Sequence, residues 1–187
     1  APGAPSPCEP LTTSSQTAAR LAAFKRDMEH CFLEGLRAGA RRIVIRPHLD
    51  SGAGDGAWRN ALLLEPSVAY GGGGLSYYDI MLVPLADALA GAQAKWAKEA
   101  AAQAWPMPRI DFALQGEMSA TVVRFPKAWR ALVEGVRARA TCAACASSSS
   151  SSSPSPPPPP PQRLRIGVGM NFNRLDDVSS TSQTHES

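Results

Sequence analysis

An α/β fold with parallel strands and crossover helices is what this sequence predicts, and three observations carry that reading. Short β-branched or alternating runs at 43–45, 109–114 and 164–170 are separated by amphipathic helical stretches, an alternation that argues for parallel strands. Each run ends in polar residues: His48 and Asp50, then Gln115 and Glu117, then Asn171 and Asn173. Parallel strands place all three clusters on one rim, and their coincidence says more than any one of them. Hydrophobic residues make up 44% of the 187 positions, enough to build a core.

The elements follow in order. Residues 1–17, rich in Pro, Ser and Thr, read as a disordered lead-in. A helix is expected over 18–38, where Leu21, Phe24, Met28, Cys31, Phe32 and Leu36 recur at three- and four-residue steps. Cys31 falls on that apolar face and reads as core, and Gly39 as the helix stop. Ile43-Val44-Ile45 is a short strand, followed by a polar, glycine-rich loop over 51–75. Loops this long are more often functional than filler.

Ser76-Tyr77-Tyr78-Asp79 resembles a capping box and opens a helix through Leu82, Leu85 and Leu89, which Pro84 should kink or split. An alanine-rich continuation runs toward Ala104, and Pro106 and Pro108 end it. Arg109 to Leu114 then alternates polar and apolar as a strand. Pro126 marks a helix start, and Trp129, Leu132, Val133 and Val136 form its apolar stripe to about Ala140. Residues 141–162 are a low-complexity linker with seven consecutive serines from Ser147 and six consecutive prolines from Pro156. The serines should be flexible and the prolines extended. A further strand segment is expected over 163–174, with a polar, frayed tail over 175–187.

Composition removes several function classes. The formal charge is +3 and the basic residues form no run, so nucleic acid is not an expected partner. No apolar stretch reaches 18 residues, so no membrane span is expected. Of Cys8, Cys31, Cys142 and Cys145, the last two make a CxxC pair. It lacks a second pair or a nearby His, and it reads as incidental. Tyr70-Gly71-Gly72-Gly73-Gly74 is not a phosphate loop, because it lacks the Gly-Lys-Ser/Thr ending.

The candidate chemistry lies at the strand ends. A carboxylate at the carboxyl end of a buried strand is where an α/β barrel keeps its catalytic groups. Glu117 could hold a proton near neutral pH and pass it to a leaving oxygen. The plain alternative is a surface or salt-bridged glutamate. His48 and Asp50 could bind sugar hydroxyls, or serve as a buried imidazole and a turn cap. As a metal fragment they lack a third ligand. Trp58, Tyr70, Tyr77 and Tyr78 could wall a sugar ring, since an amphipathic aromatic stacks on its apolar face, or could simply fill the core. Arg59 and Asn60 could orient hydroxyls or support the loop.

Pro47-His48-Leu49-Asp50, Trp58-Arg59-Asn60, Gly116-Glu117 and Pro126-Lys127-Ala128-Trp129-Arg130, in that order, resemble the middle of a clan-A glycoside hydrolase. The resemblance is to the family 113 endo-β-mannanase type, over roughly residues 18–173 apart from the Ser/Pro insert. It implies a partial (β/α)8 TIM-barrel segment whose strands match the third, fourth and fifth of eight. It also implies a retaining hydrolase of β-linked polysaccharide in which Glu117 is the acid/base. His48, Asp50, Trp58 and Arg59 would line the sugar cleft, and no metal or organic cofactor is implied.

Two departures stand out. Many clan-A enzymes carry Asn directly before the acid/base, where this chain has Gly116. The nucleophile is a second glutamate on the seventh strand, which this sequence does not reach; a whole barrel takes about 250 residues. The chain by itself is therefore expected to hydrolyse little or nothing. Two other functions fit the sequence: a carbohydrate-binding relic without catalysis, and an interaction protein whose Ser/Pro segment presents a polyproline surface. A Ser/Pro spacer is common in wall-associated proteins and looks the same in a cytosolic insert, so the compartment stays open.

Overall fold

The computed structural model describes residues 14–49, 62–69, 74–101, 108–141 and 164–169. Within them the chain is a mixed α/β fold, with a three-stranded parallel sheet in the order β1-β2-β3. Helix α1 (Ser14–Arg37) precedes strand β1 (Arg42–Ile45). A π-helical turn (Tyr78–Leu82) runs into α2 (Val83–Ala101), which leads to β2 (Arg109–Ala113). Then come α3 (Ser119–Arg124), α4 (Pro126–Ala140) and β3 (Leu164–Gly167).

The period-2 pattern divides the sheet into two chemically different faces. Ile43 pairs with Ile110, which pairs with Leu164; Ile45 pairs with Phe112, which pairs with Ile166. These six side chains join Phe32, Leu36, Leu85, Leu89, Trp129 and Val136 in one hydrophobic core. The helices α1, α2 and α4 therefore cover this one face. The opposite parity carries Arg42, Val44, Arg109, Asp111 and Arg165, and no described helix covers it.

Local chemistry explains most boundaries. Helix α1 begins at Ser14, inside the stretch expected as lead-in, and Thr17 is already buried. It ends in a Schellman motif: Gly39 has φ 79°, its N–H bonds the Leu36 carbonyl at 3.0 Å, and Ala40 N–H bonds the Gly35 carbonyl at 3.1 Å. The buried stripe of α1 is rotated from the expected one, toward Leu33 and Glu29, and leaves Cys31 exposed rather than in the core.

Helix α1 also approaches α2 closely at Gly91. A β-carbon there would lie 2.7 Å from Glu29 Cδ, and Lys95 Nζ holds the same carboxylate at 2.8 Å. At the far end Arg37 Nε donates to Glu99 at 2.9 Å, which draws the Glu99 carboxyl below its ordinary range. Both groups are exposed, so this pair adds little stability.

The expected capping box forms with Asp in place of Glu or Gln. Ser76 N–H and Oγ donate to Asp79 Oδ2 at 2.9 and 2.6 Å, and Asp79 N–H returns a bond to Ser76 Oγ at 3.3 Å. Pro84 does mark a change of winding. Val83 N–H reaches five residues back to the Tyr78 carbonyl, and regular α-helix takes over from Val83. Before α4, Pro126 disfavours helical angles at the preceding residue. Phe125 accordingly sits at φ −124°, ψ 54° and separates α4 from the unexpected α3.

Candidate functional site

Parallel pairing brings the carboxyl ends of β1, β2 and β3 to one edge, and the segments that follow them are bonded to one another. Gly116 N–H donates to the Pro47 carbonyl at 2.9 Å, and Leu114 N–H to the Gly167 carbonyl at 2.8 Å. The buried Gln115 amide joins two more groups: its Nε2 donates to the Gly169 carbonyl, and its Oε1 accepts from Met118 N–H at 2.7 Å. Gly169 itself packs so closely on this turn that a β-carbon would lie 2.7 Å from the Gln115 carbonyl oxygen.

Glu117 occupies the exposed point of this turn with φ 60°, the one positive φ at a non-glycine residue among those described. The left-handed conformation costs an L-residue about 1 kcal/mol, and such outliers concentrate at functional sites. Gly116 and Met118, fixed on either side, hold it there. A direct consequence can be measured. Glu117→Gly should be more stable than Glu117→Ala by about 1 kcal/mol in chemical denaturation, because both lack the carboxylate and only glycine relaxes the backbone. Equal stabilities would contradict the strain.

His48 lies against the same turn. A β-carbon on Gly116 would fall 2.6 Å from His48 Cε1 and 2.7 Å from Nε2. The imidazole thus takes the volume that a side chain at 116 would need. Its position against the turn depends on that glycine, and no feature of the sequence alone showed the contact.

The other expected site residues divide into two groups. Tyr77 and Gln115 were expected to touch a sugar; both are fully buried. Tyr77 gives its hydroxyl to the Leu114 carbonyl at 2.8 Å, with its ring 5.8 Å from that of Trp129, so it supports the strand end from inside the core. Gln115 is spent on Gly169 and Met118. Tyr78 packs over α4 with its hydroxyl 3.0 Å from where a Gly135 β-carbon would lie. Asp50, Trp58, Arg59, Asn60, Tyr70, Asn171 and Asn173 lie outside the described residues, as do Cys142 and Cys145.

A second polar cluster, missed in the sequence, occupies the open face of the sheet around Asp111. Arg42 Nε donates to Asp111 Oδ2 at 2.6 Å, Arg109 Nε to Oδ1 at 3.1 Å, and Arg165 Nε stands 3.7 Å from Oδ1. Burial raises the Asp111 carboxyl, but hydrogen bonds from Arg109 and Arg42 outweigh it and hold the group below its ordinary value. The signal was present as one arginine on the same face of each strand, which a search for basic runs along the chain does not detect.

Among the described residues no group of three His, Cys, Asp or Glu could hold a metal ion. No described helix is long and apolar enough to cross a membrane. The strand-end edge can offer a ligand an exposed carboxyl and an imidazole on a bonded framework, a pairing suited to hydroxyl recognition and proton transfer. No family model, no curated protein and no solved structure matches the chain.

Proposed function

We propose that the strand-end edge is a carbohydrate site, and that the chain is a segment of a clan-A glycoside-hydrolase-like (β/α) barrel acting on β-linked polysaccharide. The observation that carries the reading is Glu117 held at φ 60° at the carboxyl end of a parallel strand, next in sequence to the Gly116 against which His48 packs. Two more support it. The strands are sequential neighbours in the sheet, and their helices lie on one face, as in one arc of a singly wound barrel. In this reading His48 contacts a sugar hydroxyl from the space that Gly116 leaves open.

In such an enzyme Glu117 protonates the glycosidic oxygen, a second carboxylate attacks the anomeric carbon, and Glu117 then activates the water that releases the sugar. That chemistry needs two carboxyl groups about 5–5.5 Å apart. Glu117 is the one carboxylate at a strand's carboxyl end among the described residues. The property of this site to test is therefore saccharide binding.

Calorimetric titration of the full chain with mannohexaose and cellohexaose tests the reading. One of them should bind saturably with a dissociation constant of about 1 mM. His48→Ala, with an unchanged circular dichroism spectrum, should weaken it roughly tenfold, the worth of about one hydrogen bond. Identical titrations for both proteins, or no saturable heat, would count against the site.

A further inference from the structure

We propose that the open face of the sheet is a second binding site, for a small phosphomonoester held by Arg109 and Arg165 above Asp111. The site lies apart from the strand-end edge and belongs to the chain with its sheet face open, since a closed barrel would fill that face with side chains.

The cross-strand register builds it. Asp111 is central on β2, paired with Val44 on one side and Arg165 on the other, with Arg42 and Arg109 side by side in an adjacent pair. Parallel sheets normally bury both faces under apolar side chains. Here one face is apolar and covered, while the other carries three guanidinium groups and a carboxylate.

The cluster is layered. The Asp111 side chain is 16% exposed, whereas those of Arg109 and Arg165 are 39% and 70% exposed. The carboxylate lies at the floor and the cations stand above it. An incoming anion would meet guanidinium first and remain apart from the negative charge. Asp111 in turn anchors the arginines through their Nε atoms, which limits the freedom they must give up on binding.

Charge and shape narrow the ligand. Three guanidinium groups against one carboxylate leave two positive charges unmatched within the cluster. A phosphomonoester, with a charge of about −1.5 to −2 at neutral pH, matches that excess better than a single carboxylate does. Guanidinium forks also suit phosphate oxygens geometrically. The cavity over this face is about 260 Å3, bounded by Arg42, Arg109, Asp111, Arg165, Ala113 and Gly167. Ala113 and Gly167 keep its far end shallow, and a β-carbon on Gly167 would meet no atom within 4 Å. An open depression of that size has room for a phosphate carrying a small organic group.

Titration of the full chain with inorganic phosphate and with phenyl phosphate tests the proposal. Sodium chloride at equal ionic strength is the control for simple screening, and Arg130→Gln on the exposed surface of α4 is the control variant. The expected result is saturable binding, tighter for phenyl phosphate. It should weaken roughly tenfold in Arg165→Gln and in Arg109→Gln and stay unchanged in Arg130→Gln. Arg165 is exposed enough that its removal should leave the circular dichroism spectrum intact. Any of three results would overturn the proposal: no saturable binding, an equal effect of chloride, or binding that both arginine variants retain.

Discussion

Trp129→Ala is expected to lose about 3–5 kcal/mol of stability, the largest effect of any single substitution considered. Trp129 is 1% exposed and lies at the centre of the packing that joins α4 to the strand end. Its ring meets Tyr77 at 5.8 Å and 59°, and its Nε1 donates to Thr121 Oγ1 at 3.2 Å. Thr121 Oγ1 in turn donates to the Leu64 carbonyl. Truncation removes the ring, leaves a cavity and takes the donor from Thr121. Domains hold only about 5–15 kcal/mol in total, so the variant should lose a large share of its stability. Trp129→Phe keeps a ring against Tyr77 but loses the hydrogen bond and part of the buried volume, so it should cost less than the alanine variant, about 1–3 kcal/mol. Denaturant titrations followed by circular dichroism measure both. A cost below about 1 kcal/mol for the alanine variant would contradict the packing described.

The second large effect is expected at Gln115. Gln115→Leu keeps approximate volume and removes both hydrogen-bonding ends. The Gly169 carbonyl and the Met118 N–H then lose their partners in a buried region. At about 1–3 kcal/mol for the buried Met118 N–H and about 1 kcal/mol for the part-buried Gly169 carbonyl, a total loss of roughly 2–4 kcal/mol is expected. The loss should be local as well as global, because Gln115 is what fixes the turn that strains Glu117. Amide hydrogen exchange reads this directly. Met118 should exchange much faster in the variant than the general loss of stability accounts for. Met118 protection that falls only in step with the rest of β2 would show that the turn is held by something else.

Much of the architecture was legible because it rests on local rules. Alternation of short apolar strands with amphipathic helices gave the parallel sheet. Ser76 with Asp79, Gly39 and Pro126 each marked a boundary through a backbone requirement that the sequence displays openly. Helix α3 was not legible: it is six residues long, with two adjacent valines, too short for a helical period to emerge. The orientation of α1 was also hidden, because it is set by packing against α2, far along the chain. Cys31 was misplaced for that reason.

The site was legible at coarser grain. Polar residues at strand ends were expected on one edge, and the parallel strands do bring those ends together. Their division of labour was not visible. Tyr77 and Gln115 look like ligand contacts in sequence, and their burial follows from α4 and β3, far along the chain. The Gly116–His48 contact and the positive φ of Glu117 are consequences of tertiary packing. The Asp111 cluster escaped because its arginines are distant in sequence and adjacent only through register.

The central claim is that Glu117 and His48 mark a carbohydrate site on the carboxyl edge of the sheet. The most direct measurement is the backbone amide spectrum of the chain during titration with mannohexaose and cellohexaose. The account predicts saturable shifts at His48, Gly116, Glu117 and Met118, with Arg42, Asp111 and Arg165 undisturbed. Shifts confined to the Asp111 face, or none at either saccharide's highest concentration, would contradict it.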